Sequence, residues 1–237
     1  SDYFIEETVK LNGVETTTNV YSKLRMRDGD KENYTSVKPG DTSSVREPDV
    51  LSMYDTSSTY YQDILGYGST KLMADSFVEE YTEMYESIKK YKGFYIGRYE
   101  LTGTVETPTV KAGAVQTGDW YGLRKACTEI IKNNANVTST MIYGVEWDAT
   151  MNWLKRTKFA EEPEKVDEDS SSWGNYSNSS GAAAIEGAGE RQNTGYSEAW
   201  SANHVYDLAG NYYDFTQEAN YTNTRVIRGR RLRRFRF

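Results

Sequence analysis

At 237 residues, the chain is long enough for one large domain, or for a small domain beside a medium one. Its single cysteine and single histidine exclude an internal disulfide, a cysteine-based metal cluster and a multi-histidine metal site. The net charge is -7, but residues 225–237 hold seven Arg and no acid, so residues 1–224 carry 21 basic against 35 acidic groups, a balance of -14. We therefore expect the body of the protein to repel nucleic acid.

The first predicted element is a β-hairpin. Residues 2–11 are rich in β-branched and aromatic side chains, and Asn12-Gly13 is a strong two-residue turn signal. Residues 27–59 are polar and broken by Gly, Pro and Ser, which predicts a long connection. No apolar run is long enough for a membrane span and residues 1–11 lack the features of a signal peptide, so we expect no membrane insertion, with any export signal outside this chain.

The middle of the chain predicts helices. Asp75–Tyr91 has one apolar face, a capping box formed by Ser76 and Glu79, and Gly93 to end it. The alternation in Phe94–Leu101 predicts a strand. Asp119 is the expected N-cap of a second helix, which places Cys127 on its buried face.

A third helix is predicted around Glu146–Lys155, after a short strand at Thr140–Tyr143. Residues 160–200 are rich in acidic residues, Ser, Gly and Asn and predict mostly loop. Beyond them, Val205–Asn211 leads through a tight turn into an extended segment, Tyr212–Gln217, and Arg225–Arg228 predicts a short strand. Few helices and short, scattered strands indicate an α+β fold with small, twisted antiparallel sheets.

Five segments together resemble a known family. They are GFYIGRYELTG (93–103), the helix at Trp120, MIYGVEWDATMNWL (141–154), SSWGNY (171–176), and VYDLAGNYYDFTQE (205–218) followed by RVIRG (225–229). In this order they resemble the formylglycine-generating enzyme domain, also called the sulfatase-modifying factor domain. The resemblance implies a C-type-lectin-like fold over residues 93–237, preceded by a strand, long-loop and helix region over residues 1–92.

The resemblance is closest to non-catalytic members, the variable proteins of diversity-generating retroelements and related prophage or bacterial surface proteins. In those proteins the C-terminal strands present exchangeable side chains to a ligand. The residues expected to do so here are Tyr212, Tyr213, Asp214, Tyr221, Asn223, Arg230, Arg231, Arg233 and Arg234. The alternative for Tyr212 and Tyr213 is packing inside a loop-rich fold. After Gly229 the chain departs from the family pattern, and we expect the family's last strand to be either absent or replaced by residues 230–237.

The residue types present in the chain give little support for a catalytic function. The family's enzymes are expected to use a cysteine pair, whereas this chain has only Cys127, for which a buried structural thiol is the expectation. His204 is expected to be structural, and the acidic run Glu161–Asp169 lacks the fixed spacing of a calcium loop. We therefore expect no enzyme activity, no cofactor and no metal.

The sequence predicts a display protein located outside the cell, at the cell surface or on a virion. Its partner would be a protein or glycan on a cell or phage surface, with homo-oligomerisation left open. The rival hypothesis is a structural component of a phage particle or surface fibre. A third is a nucleic-acid or polyanion binder acting through the Arg-rich tail.

Overall fold

The computed structural model describes residues 5–11, 14–20, 63–221 and 224–229. The predicted long connection at residues 27–59 lies outside them. Over the described residues the protein is α+β, with helices and short antiparallel two-stranded sheets, as predicted.

The chain divides into two compact units that are not continuous in sequence. The first comprises Ser1–Tyr95, Ile142–Ala149 and Thr216–Val226. The second comprises Ile96–Met141, Thr150–Phe215 and Ile227–Phe237. The domain boundary that we expected between residues 92 and 93 stays a prediction.

The predicted hairpin is present. Strand β1 (Ile5–Leu11) pairs antiparallel with β2 (Val14–Val20), in a register that places Ile5 opposite Val20 and Leu11 opposite Val14. This register leaves two residues between the strands, the spacing of a tight hairpin turn. The turn residues themselves, Asn12 and Gly13, lie outside the described residues.

Helix α1 (Thr70–Tyr91) ends where we predicted but begins five residues earlier. Its N-cap is Ser69, whose side chain accepts a hydrogen bond from the amide of Leu72. The predicted capping box is therefore wrong. Ser76 lies inside the helix, where its hydroxyl accepts a hydrogen bond from the Tyr67 hydroxyl. At the other end, Lys92 rather than a glycine takes the left-handed conformation that ends the helix.

The apolar face of α1 packs as the sequence pattern predicted. Tyr81 and Tyr85 form a buried cluster with Tyr143 and Val145. The rings of Tyr81 and Tyr143 meet edge to face, with their centroids 5.4 Å apart. Aromatic side chains thus supply most of the volume of this cluster.

In the second unit, helix α2 (Trp120–Glu129) follows its predicted N-cap, since Asp119 accepts a hydrogen bond from the amide of Gly122. The strand predicted at Phe94–Leu101 is not formed. Only β3 (Thr102–Gly103) is extended and paired, with β4 (Pro108–Thr109). The residues before β3 bond instead one at a time to separate segments, through Tyr206, Thr194 and Gln116, so they meet no continuous partner strand.

Helix α3 (Gly144–Arg156) covers the third predicted helix. The amide of Tyr143 donates a 3.0 Å hydrogen bond to the carboxyl of Glu146, which satisfies a donor at the start of the helix. The short strand predicted at Thr140–Tyr143 is not formed. The Ile142 carbonyl nevertheless accepts a hydrogen bond from the Gln217 amide.

Residues 160–200 are mostly irregular, as predicted, and two tryptophans anchor them. The indole of Trp173 donates to the carbonyl of Lys165 in the short helix α4 (Glu164–Asp167). The indole of Trp200 donates to the Ala183 carbonyl, and both tryptophans are buried. Buried indole groups with satisfied N–H donors hold this loop-rich region in place.

The last strands form two short antiparallel sheets. Strand β5 (Ser201–Ala202) pairs with β6 (Val205–Tyr206). Strand β7 (Asp214–Tyr221) pairs with β8 (Thr224–Arg228). The predicted strand at Arg225–Arg228 is confirmed as β8, whereas the extended segment predicted from Tyr212 begins as a strand only at Asp214.

Candidate ligand-binding site

The candidate site is built where two distant segments of the second unit meet. The amide of Asn175 donates to the Ala209 carbonyl at 2.9 Å, and the amide of Asn211 donates to the Asn175 carbonyl at 3.1 Å. Gly210, between them, has a φ of +83° and lies so close that an added Cβ would be 2.1 Å from the Asn175 carbonyl oxygen. Only glycine combines this conformation with so close an approach.

The side chains of Asn175 and Asn211 hold a third segment, Gly189–Gln192, against this junction. The Asn175 amide group donates to the Glu190 carbonyl, and its oxygen accepts from the Gly189 amide, both at 2.8 Å. Asn211 accepts from the Gln192 amide at 2.9 Å and donates to the Gln192 carbonyl at 3.1 Å. Both asparagines are buried, so these four hydrogen bonds are partly shielded from water. We call this arrangement the asparagine clamp.

Three side chains project from the clamped backbone. The guanidinium of Arg191 lies over the ring of Tyr212, 5.2 Å from its centroid. Tyr212 is half-buried, Arg191 is exposed, and the next residue, Tyr213, exposes 45% of its surface. We call Arg191, Tyr212 and Tyr213 the tyrosine face. Tyr213 is therefore not a core residue, while Tyr212 is partly covered.

Asp214 differs from its two neighbours because its carboxyl group points inward. Its Oδ2 atom is buried, and its carboxyl group interacts with that of Glu100. Burial is the main cause that raises the pKa of Asp214 to about 7; the interaction with Glu100 lowers it and the charge of Asp207 raises it. Burial, followed by the charge of Asp214, holds the pKa of Glu100 well above its usual range. We leave Asp214 out of the tyrosine face, although the sequence placed it with the ligand-binding residues.

Asp207 is a third buried carboxyl group of this unit. Its backbone is left-handed, with a φ of 63°. Burial raises its pKa to about 6, against hydrogen bonds from Thr194, Gly195 and Asn211 that lower it. Within residues 63–221 and 224–229, no three His, Cys, Asp or Glu side chains are arranged to hold a metal ion.

The remaining predicted ligand residues cannot be placed on this face. Tyr221 lies at the end of β7, where only its backbone is described. Asn223, Arg230, Arg231, Arg233 and Arg234 lie outside the described residues.

The structure shows the surroundings of His204 and Cys127, the two residues considered above for a chemical role. His204 is exposed, and its Nδ1 atom lies 3.8 Å from the carboxylate of Glu198, which also accepts a hydrogen bond from the Tyr206 hydroxyl. Burial raises the pKa of the Cys127 thiol to about 12, so the reactive thiolate is scarce at neutral pH.

The sequence did not single out Arg191 or the asparagine clamp. Arg191 lies in a segment without periodicity, and nothing near it in the sequence indicates the aromatic ring that supports it. Asn175 and Asn211 both lie in Gly-Asn-Tyr triplets, Gly174–Tyr176 and Gly210–Tyr212. This repeated triplet is a sequence signal that could have indicated the paired positions.

Comparison with protein-family models found no match, and comparisons with curated proteins and with solved structures found none either. Among the helices that the structure describes, none has both the length and the apolar character needed to cross a membrane.

Proposed function

We propose that the chain is a non-enzymatic display protein that binds a protein or glycan ligand through the tyrosine face. The observation that carries the proposal is the exposed Tyr213 beside the stacked Arg191–Tyr212 pair, on a backbone fixed by the asparagine clamp. Tyrosine provides a large contact area and a polar tip with little rotamer freedom to lose, and arginine is a frequent anchor at interfaces. A fixed backbone lowers the entropy cost of binding further.

We further propose that residues 93–237 adopt a C-type-lectin-like fold of the formylglycine-generating enzyme type, closest to the variable proteins of diversity-generating retroelements. The meeting of SSWGNY (171–176) with DLAGNYY (207–213) supports this, because these are two of the segments that carry the resemblance. Together these two segments would form a loop-built platform that carries the ligand-binding side chains. Such a protein would act outside the cell, at the cell surface or on a virion.

The test is binding of the full chain to a glycan array and to whole bacterial cells. We expect the double variant Tyr212→Ala, Tyr213→Ala to lose binding while its melting temperature changes little. The matched control is Tyr95→Ala, which removes another exposed tyrosine outside the tyrosine face. A double variant that binds as well as the wild type would contradict the proposal, and a large loss of stability would show that the rings serve the core.

Two rival proposals have their own readouts. A structural component of a phage particle or fibre would form a trimer or higher multimer by light scattering and bind no glycan or protein ligand. A nucleic-acid binder would give salt-dependent gel shifts that disappear when residues 230–237 are deleted. The negative balance of residues 1–224 opposes the second of these rivals.

A further inference from the structure

Arg191 is an exposed cation without an acidic partner in the part of the chain that the structure describes. Its side-chain contact there is with the ring of Tyr212, whose centroid lies 5.2 Å from the guanidinium carbon. Glu186 and Glu190 are close in sequence and exposed, yet neither forms an ion pair with it. An arginine held on an aromatic ring retains N–H donors at the edge of its planar group. These donors face solvent and are available to a ligand.

The position of this guanidinium is fixed from two sides. The asparagine clamp bonds the backbone before Arg191, at Gly189 and Glu190, and the backbone after it, at Gln192. The ring of Tyr212, which follows the clamp residue Asn211 in the chain, supports the other end of the side chain. Arginine normally loses much rotamer freedom when it binds, and here part of that loss has already occurred on folding.

The chemistry of a fixed, unpaired guanidinium favours a carboxylate. The planar fork of Arg matches the two oxygens of a carboxylate and forms two parallel hydrogen bonds with it. The exposed ring of Tyr213, the next residue after Tyr212, adds an amphipathic surface suited to a compact ring with apolar and hydroxyl-bearing parts. A sugar that carries a carboxyl group has both features.

The charge of the protein argues against a large acidic partner. Residues 1–224 carry a balance of -14, which would repel an extended acidic protein surface over the roughly 8 Å range of electrostatic interaction at physiological salt. A single carboxylate placed directly on Arg191 is much less exposed to this repulsion. The ligand is therefore small and singly acidic where it meets Arg191.

We propose that Arg191, supported by Tyr212, is the carboxylate-binding residue of the tyrosine face, and that the ligand is a glycan ending in a carboxylated sugar. This inference rests on the proposed ligand-binding function. It adds the ligand class and a residue for selecting it.

The experiment compares three immobilised probes for binding to the full chain. They are an oligosaccharide ending in a uronic acid, the methyl ester of that probe, and a glutamate-rich peptide of similar length. We expect the wild type to bind the acid at least about tenfold more tightly than the ester, because only the acid pairs with the guanidinium. Arg191→Gln should remove this preference, and Arg191→Lys, a single point charge, should retain only part of it.

Asn193→Ala is the matched control, since Asn193 is exposed in the same loop and its side chain makes no recorded contact among the described residues. Each variant should keep the melting temperature of the wild type, which shows that the loop is intact. Equal binding of acid and ester, absence of binding to both sugars, or tighter binding of the peptide would each overturn the inference. If acid and ester bind equally, the proposed function survives, because binding persists without the carboxylate. If no ligand tested shows binding that depends on Tyr213, both the proposed function and this inference are wrong.

Discussion

The carboxyl groups of Glu100 and Asp214 interact with each other inside the second unit, and burial raises the pKa of both. Two neighbouring buried carboxyl groups resist ionising together, so the pair keeps a proton to higher pH than an exposed carboxyl group does. Asp214 is the first residue of β7 and follows Tyr213 directly. The protonation state of this pair therefore affects stability where the chain leaves the tyrosine face.

The pair predicts that stability decreases as the pH rises. The pKa of Asp214 is raised from 3.8 to about 7, so the folded state binds more protons than the unfolded state between these values. The stabilisation is complete below about pH 4 and is lost as the pH rises through the folded pKa, by up to about 1.4 kcal/mol per pH unit for each proton. Urea unfolding across this range should show a smaller loss for Asp214→Asn than for the wild type.

The control for this slope is Glu161→Gln, which changes an exposed carboxylate in the same unit. It should follow the wild-type dependence on pH. Parallel curves for Asp214→Asn and the wild type would show that the Glu100–Asp214 proton is not retained in the folded state.

Gly210→Ala should destabilise the protein by more than about 2 kcal/mol, because it combines a strained positive φ with a steric overlap. The overlap is with the Asn175 carbonyl, 2.1 Å from the added carbon. Gly181→Ala is the control, since Gly181 also has a positive φ but nothing lies within 4 Å of its added carbon. It should cost only about 1 kcal/mol. Equal losses of free energy of unfolding would refute the close approach at Gly210.

Asn211→Leu should remove the hydrogen bonds that hold Gln192 and leave the Gln192 amide and carbonyl without these partners. Each buried polar group left unpaired costs about 1–3 kcal/mol, so thermal melting should detect the change. Hydrogen exchange should also speed up at the amides of Gly189 and Gln192, whose donors bond to the clamp. Unchanged exchange at Gln192 would contradict its bond to Asn211.

Cys127 should react slowly with iodoacetamide at pH 8 in the folded protein. Its thiol pKa is raised to about 12, so very little of it is thiolate at that pH. In denaturing urea the thiol should recover ordinary reactivity, and the ratio of the two alkylation rates measures the protection. Similar rates in both conditions would place the thiol in contact with solvent.

Local signals in the sequence predicted the elements they act on directly. Asp119 caps α2, and the apolar stripe of α1 became a buried face, because both depend on neighbours within a turn or two. The capping box predicted at Ser76 was wrong because it, too, was inferred from a local pattern alone. Ser76 matches a capping pattern, but Ser69 lies earlier in a segment that continues as a helix, and the helix extends to it.

Relationships across long stretches of sequence were not predictable in this way. The alternation at Phe94–Leu101 indicates a strand, but a strand also needs a partner, and the amide of Tyr206 and the side chain of Thr194 contact this stretch only one residue at a time. The same applies to Arg191, whose role depends on a ring 21 positions away. Sequence patterns describe one chain segment, whereas the tyrosine face is formed by two.

In the loop that it holds, the asparagine clamp forms hydrogen bonds with main-chain atoms: the Gly189 amide, the Glu190 carbonyl, and the amide and carbonyl of Gln192. Substitution of Glu190 or Arg191 therefore leaves every one of these bonds in place. The loop can change which chemical groups it offers while its path stays the same, so new specificities can evolve here without refolding.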